Sequence, residues 1–365
     1  MAKYLFGDIV REIKEKVDRD NNPYDYFIAG DHMDTDELHL LRRGLFEGSD
    51  VGPAFIRVFK PGQVLYGSRR TYLRKVAVAD FEGVTANTTF VLESKDESIL
   101  LQSLLPFIMQ SDRFVQHSIK RSKGSTNPYV LFSDLADYEV DLPDIHEQKR
   151  LSEVLWAIDS VKMSYKRLIS ATDDLVKSQF IEWFGSPIKN EKEWKSAKMS
   201  DVAPAEVFKG KVESADNLYW LLNLDMIESN TGRVIEKVRV PLKDIGTSTY
   251  AFSTENVLFS KLRPYLNKVI VPDGNGYATT ELIPLMPDRE KLNIDFFTSL
   301  LRGDEFLSFI ETQVSGTKMP RVQMNVFWNF DVILPPIELQ EQFAEFVRQS
   351  DKSKLLLGKT FDFSS

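Results

Sequence analysis

Two stretches of the chain carry Lys and Arg with no acid among them, and both stretches occur twice. Residues 60–79 hold Lys60, Arg69, Arg70, Arg74 and Lys75, and residues 113–133 hold Arg113, Lys120, Arg121 and Lys123. Later, residues 256–272 hold Lys261, Arg263 and Lys268, and residues 312–330 hold Lys318 and Arg321 beside Gln323 and Asn325. The chain has 54 acidic residues and a net charge of −8, yet it spares these four places. Such a pattern suits a polyanion. Lys and Arg neutralise phosphates and release counterions, while Arg, Asn and Gln can read base edges. Ser125 and Thr317, in Gly124-Ser125-Thr126 and Ser315-Gly316-Thr317, add small groups that let backbone N–H approach phosphate. Tyr72 and Tyr265 can stack or bond to backbone, although half-buried strand tyrosines are the commoner case. A single basic loop is more often a solvated face; recurrence at equivalent places favours binding.

The recurrence is a duplication. Val64-Leu-Tyr-Gly-Ser-Arg-Arg-Thr-Tyr-Leu-Arg-Lys-Val76 pairs with Val257-Leu-Phe-Ser-Lys-Leu-Arg-Pro-Tyr-Leu-Asn-Lys-Val269 at a constant offset of 193. The same offset aligns His32-Met33 with Asp225-Met226 and Gly83 with Gly276. An offset of 192 aligns Gly124-Ser-Thr-Asn-Pro128 with Gly316-Thr-Lys-Met-Pro320, and Leu142-Pro143 with Leu334-Pro335. This period is far longer than that of solenoid repeats.

Catalytic patterns are absent. Asn22-Pro23-Tyr24 and Asn127-Pro128-Tyr129 lack the second proline of the loop that holds a flipped adenine in N6-adenine methyltransferases, and they read as turns. Pro287-Asp288 with Glu290-Lys291 is too compact for a nuclease metal site. Asp31, Asp34, Asp36 and Glu37 lack calcium-loop spacing. Phe208-Lys-Gly-Lys211 is no phosphate loop. With no Cys, disulfides and thiolate chemistry are excluded, and four scattered His make no metal box. No signal peptide is visible at Met1-Ala-Lys-Tyr-Leu-Phe6 and no run of 18 apolar residues exists, so a cytoplasmic protein that engages no membrane is expected.

Positioning falls to the elements around these loops. Phe55–Phe59 and residues 76–79 read as strands, with a turn at Lys60-Pro-Gly-Gln63; residues 99–118 read as a helix kinked or started by Pro106. Residues 257–260 and 268–271 repeat the strand pattern, residues 272–276 the turn, and residues 295–312 the helix. Between the copies, Leu151, Val154, Ile158, Val161, Tyr165, Leu168 and Leu175 keep a heptad spacing broken by Thr172, and Leu155, Ile169 and Val176 widen the stripe toward a second helix. With Pro143 in the first turn and Gly185 as the stop, a helix from about His146 to Phe184 would be roughly 55–60 Å long. Leu339, Phe343, Phe346 and Val347 give the last segment an apolar face. The expected organisation is residues 1–141, an α/β unit; 142–185, a helical spacer; 186–334, a second α/β unit; and 335–365, a short helical region.

That order resembles the specificity subunit of type I restriction–modification systems. The resemblance rests on Leu142-Pro-Asp-Ile-His-Glu-Gln-Lys-Arg150, Phe180-Ile-Glu-Trp-Phe-Gly185, Leu334-Pro-Pro-Ile-Glu-Leu-Gln-Glu-Gln-Phe343 and Ser315-Gly-Thr-Lys-Met-Pro320. It implies an α+β fold in which two similar target recognition domains are separated and joined by long antiparallel, coiled-coil-like helices in a pseudo-twofold repeat. Each domain would read one half of a split double-stranded DNA target. Methyltransferase subunits would dock on the helices, and a restriction/translocase subunit would join them. S-adenosylmethionine, ATP and Mg would sit on those partners, leaving this chain without cofactor or catalysis. Direct DNA contact is carried onto Arg69, Arg70, Arg74, Lys75, Lys123 and Ser125, and onto Lys261, Arg263, Lys268, Thr317, Lys318 and Arg321. The chain departs from the pattern in its short final helical region and in Ser122-Lys-Gly-Ser-Thr-Asn-Pro128. Rival readings are a stand-alone methyltransferase or nuclease, and a helical scaffold without specific readout.

Overall fold

Val64–Gly67 buries every residue except its glycine, as a central strand must. It lies third in an antiparallel sheet ordered Val10–Ile13, Thr89–Ser94, Val64–Gly67, Val76–Val78. A second sheet runs Gly44–Leu45, Tyr26–Ile28, Gly83–Ala86, Phe55–Phe59, with its middle pair parallel. Ile28 and Phe59 from one sheet meet Leu65, Ala77 and Val91 from the other in a single buried cluster. Phe6, Tyr66, Leu105, Met109 and Phe114 form a second cluster, where helices cover the first sheet. Burying a Leu, Met or Phe side chain in this way contributes about 1.5–3 kcal/mol.

Residues 2–19, 21–316 and 319–359 are described by this computed structural model, residues 355–359 as backbone only. Contacts divide the chain into two units, Met1–Val161 and Lys162–Ser365. The second unit repeats the strand order: Val238–Pro241, Leu218–Leu222, Gly276–Thr279, Thr249–Phe252 in one sheet, and Val269–Ile270, Val257–Ser260, Leu282–Leu285 in the other. A fourth strand shrinks there to a bridge between Ala205 and Leu285. Gly83 and Gly276 sit at the same crowded point. A Cβ on Gly83 would meet Tyr26 O at 2.7 Å and the Phe59 ring at 2.9 Å; one on Gly276 would meet the Phe252 ring at 2.7 Å and Trp220 O at 2.8 Å. Each copy closes on a terminal strand pair, Ala2–Leu5 with Glu139–Leu142 and Ser196–Lys198 with Asp331–Ile333.

Several expected helices are divided. The stretch 99–118 becomes a 3-10 turn Gln102–Leu104, a helix Leu105–Gln110 and a helix Asp112–Arg121; Pro106 sits in a first turn, and Ser111 caps the second helix. The stretch 295–312 divides at Gly303 into Ile294–Arg302 and Asp304–Glu311. The spacer is a single arm helix, Ile145–Phe184. Pro143 stands just outside it, and the Asp144 carboxylate takes the capping role by accepting the N–H groups of His146 and Glu147, each at 3.0 Å.

The closing helix, Ile337–Lys359, runs antiparallel to the end of the arm helix. Phe343 packs 5.7, 5.8 and 5.2 Å from the rings of Phe180, Trp183 and Phe184. Further along, Lys354 Nζ reaches Asp173 at 2.6 Å. Leu339, Phe346 and Val347 join the same core, as expected of them. The heptad stripe does not. Leu151, Val154, Ile158, Val161, Leu168 and Leu175 are 39–53% exposed, and Tyr165 is half-buried. The side of the helix that is packed lies further round the barrel, at Gln148, Ser152, Asp159, Met163, Val176 and Phe180. No helix of the described residues is long and apolar enough to cross a membrane.

Candidate nucleic-acid interface

Arg70 and Arg263 occupy one position in the two copies, and their backbones show it. Both lie in the left-handed region, at φ 52° and 49°, and each starts a 3-10 turn, Thr71–Leu73 or Pro264–Leu266. Each turn ends on a second left-handed residue, Arg74 at φ 50° or Asn267 at φ 46°. Two such non-glycine residues cost on the order of 1–3 kcal/mol apiece, so their surroundings must hold them. The Arg70 N–H donates to Pro128 O at 2.7 Å and the Arg263 N–H to Pro320 O at 2.7 Å. These prolines end the small loops that turn on Gly124 and Gly316, at φ 87° and 89°. Below them lie the bridges Lys123–Tyr129 and Ser315–Arg321. Thus each copy clamps its two basic stretches together by the same backbone hydrogen bonds.

Absence of acids along the sequence does not mean absence in space. Asp36 lies 2.5 Å from Arg74 Nε, and Asp112 2.6 Å from its Nη1. Arg74 Nη2 donates to Gln110 O at 2.6 Å. Burial lowers the affinity of this guanidinium for its proton, but the hydrogen bond to Asp112 and the charge of Asp36 outweigh burial and raise it. At the equivalent position Asn267 Nδ2 donates to Arg302 O at 3.0 Å. Residue 74 or 267 therefore fastens the turn to a helix end, so the Arg74 charge, expected to meet a ligand, is engaged within the fold.

Lys75 and Lys268 are engaged within the fold as well. Lys75 Nζ donates to Gly30 O, and Lys268 Nζ to Leu224 O at 2.7 Å, so each ties the turn to the segment that follows Tyr26–Ile28 or Leu218–Leu222. Burial lowers the Lys268 pKa, against the opposing charge of Asp225.

Other cations pair loosely. Arg121 meets Asp137, Lys123 Nζ lies 2.8 Å from Asp134, and Arg321 lies 2.8 Å from Glu281. Pairs this exposed contribute about 0–1 kcal/mol, little enough for a phosphate to displace the carboxylate. Arg69, Arg70 and Lys120 are exposed and Lys261 and Arg263 half-buried, and among the described residues their side chains have no ion pair. The Arg263 Nε is buried without a hydrogen-bond partner. Ser125, Gln323 and Asn325 are exposed. Thr317 and Lys318 fall outside the described residues.

Tyr72 and Tyr265 are not half-buried strand residues. They stand at the centre of the two 3-10 turns, 50% and 48% exposed. The sequence did not show that Glu37 and His39 come together with Asp159. Their ligand atoms lie within 4.8 Å of one another, and His39 Nε2 is 2.6 Å from Asp159 Oδ2, far from the basic loops in sequence.

Comparison with known proteins follows the duplication. An E. coli protein described as the type I restriction enzyme EcoDI specificity subunit is 23% identical over 263 residues, covering 63% of this chain and 59% of that one. A Haemophilus influenzae counterpart, the HindI specificity subunit, is 22% identical over 188 residues, covering 50% and 40%. This chain therefore spans between two fifths and three fifths of those relatives. A crystal structure of a type I restriction–modification S subunit from M. genitalium shares the fold at a TM-score of 0.50, with 12% identity over 98% of this chain and 91% of that one. Residues 11–171 and 191–360 each match the type I restriction modification DNA specificity domain, so the chain belongs to that family and carries its domain twice.

Proposed function

We propose that this chain is the sequence-specific DNA-recognition subunit of a type I restriction–modification assembly in the cytoplasm. It reads a two-part double-stranded target, with residues 1–141 and 186–334 as the two recognition domains. Residues 142–185 and 335–365 form the helical regions. The chain contributes recognition and no chemistry; S-adenosylmethionine, ATP and Mg belong to methyltransferase and restriction subunits that assemble on it.

One observation carries the reading. The same strained turn, with an arginine at the same point, is clamped to the same glycine-containing loop in both family domains. Arg70 and Arg263 are the leading DNA contacts. Arg69, Lys120, Arg121, Lys123, Ser125, Lys261, Arg321, Gln323 and Asn325 are supporting ones, with Thr317 and Lys318 carried by family resemblance alone. The exposed residues Leu151, Val154, Ile158, Val161, Leu168 and Leu175 on the arm helix are the docking surface for the methyltransferase subunits, since an apolar heptad left exposed suits another helix.

The test is a salt series on the chain assembled with its methyltransferase subunits. Arg70→Ala and Arg263→Ala should each weaken binding and reduce the slope of log K against log salt by about 1. Wild-type affinity and slope in both variants would refute the contact assignment. The chain alone should neither cut nor methylate DNA.

A further inference from the structure

Tyr72 and Tyr265 share more than a position. Each is the middle residue of a three-residue turn whose neighbours are tucked in: Thr71 and Pro264 are buried, while Leu73 and Leu266 are half-buried. Both turns are bracketed by left-handed residues, and the hydrogen bonds Leu73 N to Arg70 O (2.8 Å) and Leu266 N to Arg263 O (2.9 Å) close them identically. Among the described residues neither ring meets another ring, and neither hydroxyl has a hydrogen-bond partner. A strained backbone repeated across two domains thus holds a half-exposed aromatic side chain two residues from the leading arginine, outside the buried clusters of its own domain.

We propose that Tyr72 and Tyr265 are paired apolar specificity contacts, each laying its ring against base edges in the groove of its own half-site. This rests on the DNA-recognition reading above. An arginine beside the ring meets phosphate or a guanine edge, while the ring supplies contact with thymine methyls that depends on sequence and involves no ion release. The two contributions separate in a salt series.

The experiment uses the full chain assembled with its methyltransferase subunits. The probes are a duplex selected by the wild-type assembly from a random pool and an unselected duplex of equal length. Tyr72→Ala and Tyr265→Ala should each lower affinity for the selected duplex by roughly 5- to 50-fold with the salt slope unchanged. Affinity for the unselected duplex should move much less, and Tyr→Phe at either position should bind like wild type. Thermal unfolding should change little, because each ring is about half exposed and belongs to no buried cluster.

Wild-type binding by both Ala variants, beside a loss in Arg70→Ala, overturns the tyrosine assignment and leaves DNA recognition standing. A wild-type assembly that selects no sequence from the pool overturns DNA recognition itself. Loss in the Phe variants equal to that in Ala would assign the effect to the hydroxyl and refute apolar packing. A fall in unfolding temperature would mark the ring as a packing residue and refute it too.

Discussion

Gln148 and Gln340 make the same three hydrogen bonds, 192 residues apart. Gln148 Nε2 donates to Ile99 O at 2.8 Å and Pro143 O at 3.0 Å, and its Oε1 accepts the Leu101 N–H at 3.1 Å. Gln340 Nε2 donates to Lys291 O at 3.0 Å and Pro335 O at 2.8 Å, and its Oε1 accepts the Asn293 N–H at 2.9 Å. Both side chains are buried, at 1% and 0% exposure. Each locks the first turn of a long helix onto the segment leading into its own domain's helices. Leucine has the volume without the hydrogen-bonding groups and would leave buried backbone partners unsatisfied. Gln340→Leu should therefore cost about 2–4 kcal/mol in the Lys162–Ser365 unit, and Gln148→Leu a similar amount in the other. Denaturant unfolding followed by a probe in each unit checks this; a wild-type midpoint in both variants excludes the lock.

Arg74 and Asn267 show that the two copies solve one problem with different side chains. Both must adopt positive φ and reach the carbonyl of residue 110 or 302. Asparagine tolerates that backbone better than most residues and makes the needed bond by itself. Arg74→Asn should then fold like wild type, whereas Arg74→Ala should lose about 1–2 kcal/mol. Neither change should alter the salt slope of DNA binding. A slope reduced by about 1 in Arg74→Asn would show that the guanidinium does meet phosphate.

The duplication, the strand grammar and the long helix were legible because they rest on local pattern: heptad spacing, alternating apolar residues, glycine and proline stops. Which cations stay available was not legible. Asp36 and Asp112 lie 38 residues from Arg74 on either side, and no window reading finds such partners. Which face of the helix the chain covers itself was not legible for a related reason. Leu151 to Leu175 and Gln148 to Phe180 both recur at helical spacing, and spacing does not say which stripe the chain covers itself. Tyr72 escaped a correct reading because its turn depends on two left-handed arginines, and arginine gives no sequence signal for positive φ.

The open stripe gives a sharp separation of stability from assembly. Ile158 and Leu168 are 51% and 49% exposed, so Ile158→Glu and Leu168→Glu should change unfolding stability by less than about 0.5 kcal/mol. The same changes place a charge in the seam that a partner helix would have to bury and, on the proposed function, should abolish co-purification with methyltransferase subunits. Retained co-purification by both variants would move the docking surface elsewhere.

Acid sensitivity should appear at the start of the arm helix. The hydrogen bond from the Glu147 N–H holds the Asp144 carboxyl below the ordinary carboxylate range, with help from the His146 N–H and against the opposing effect of burial. A depressed folded pKa means that the charged cap stabilises fully above the unfolded value of about 3.9 and that its contribution fades as pH falls through the folded value. Asp144→Asn keeps an accepting oxygen and loses the charge, including its attraction to the positive helix end. Wild type should thus be the more stable protein at neutral pH, by an amount independent of pH down to about 5. The two should converge as the carboxyl titrates. Thermal unfolding of both proteins at low ionic strength measures the gap; a gap that persists unchanged in acid would mean that cap geometry alone, and not charge, starts the helix.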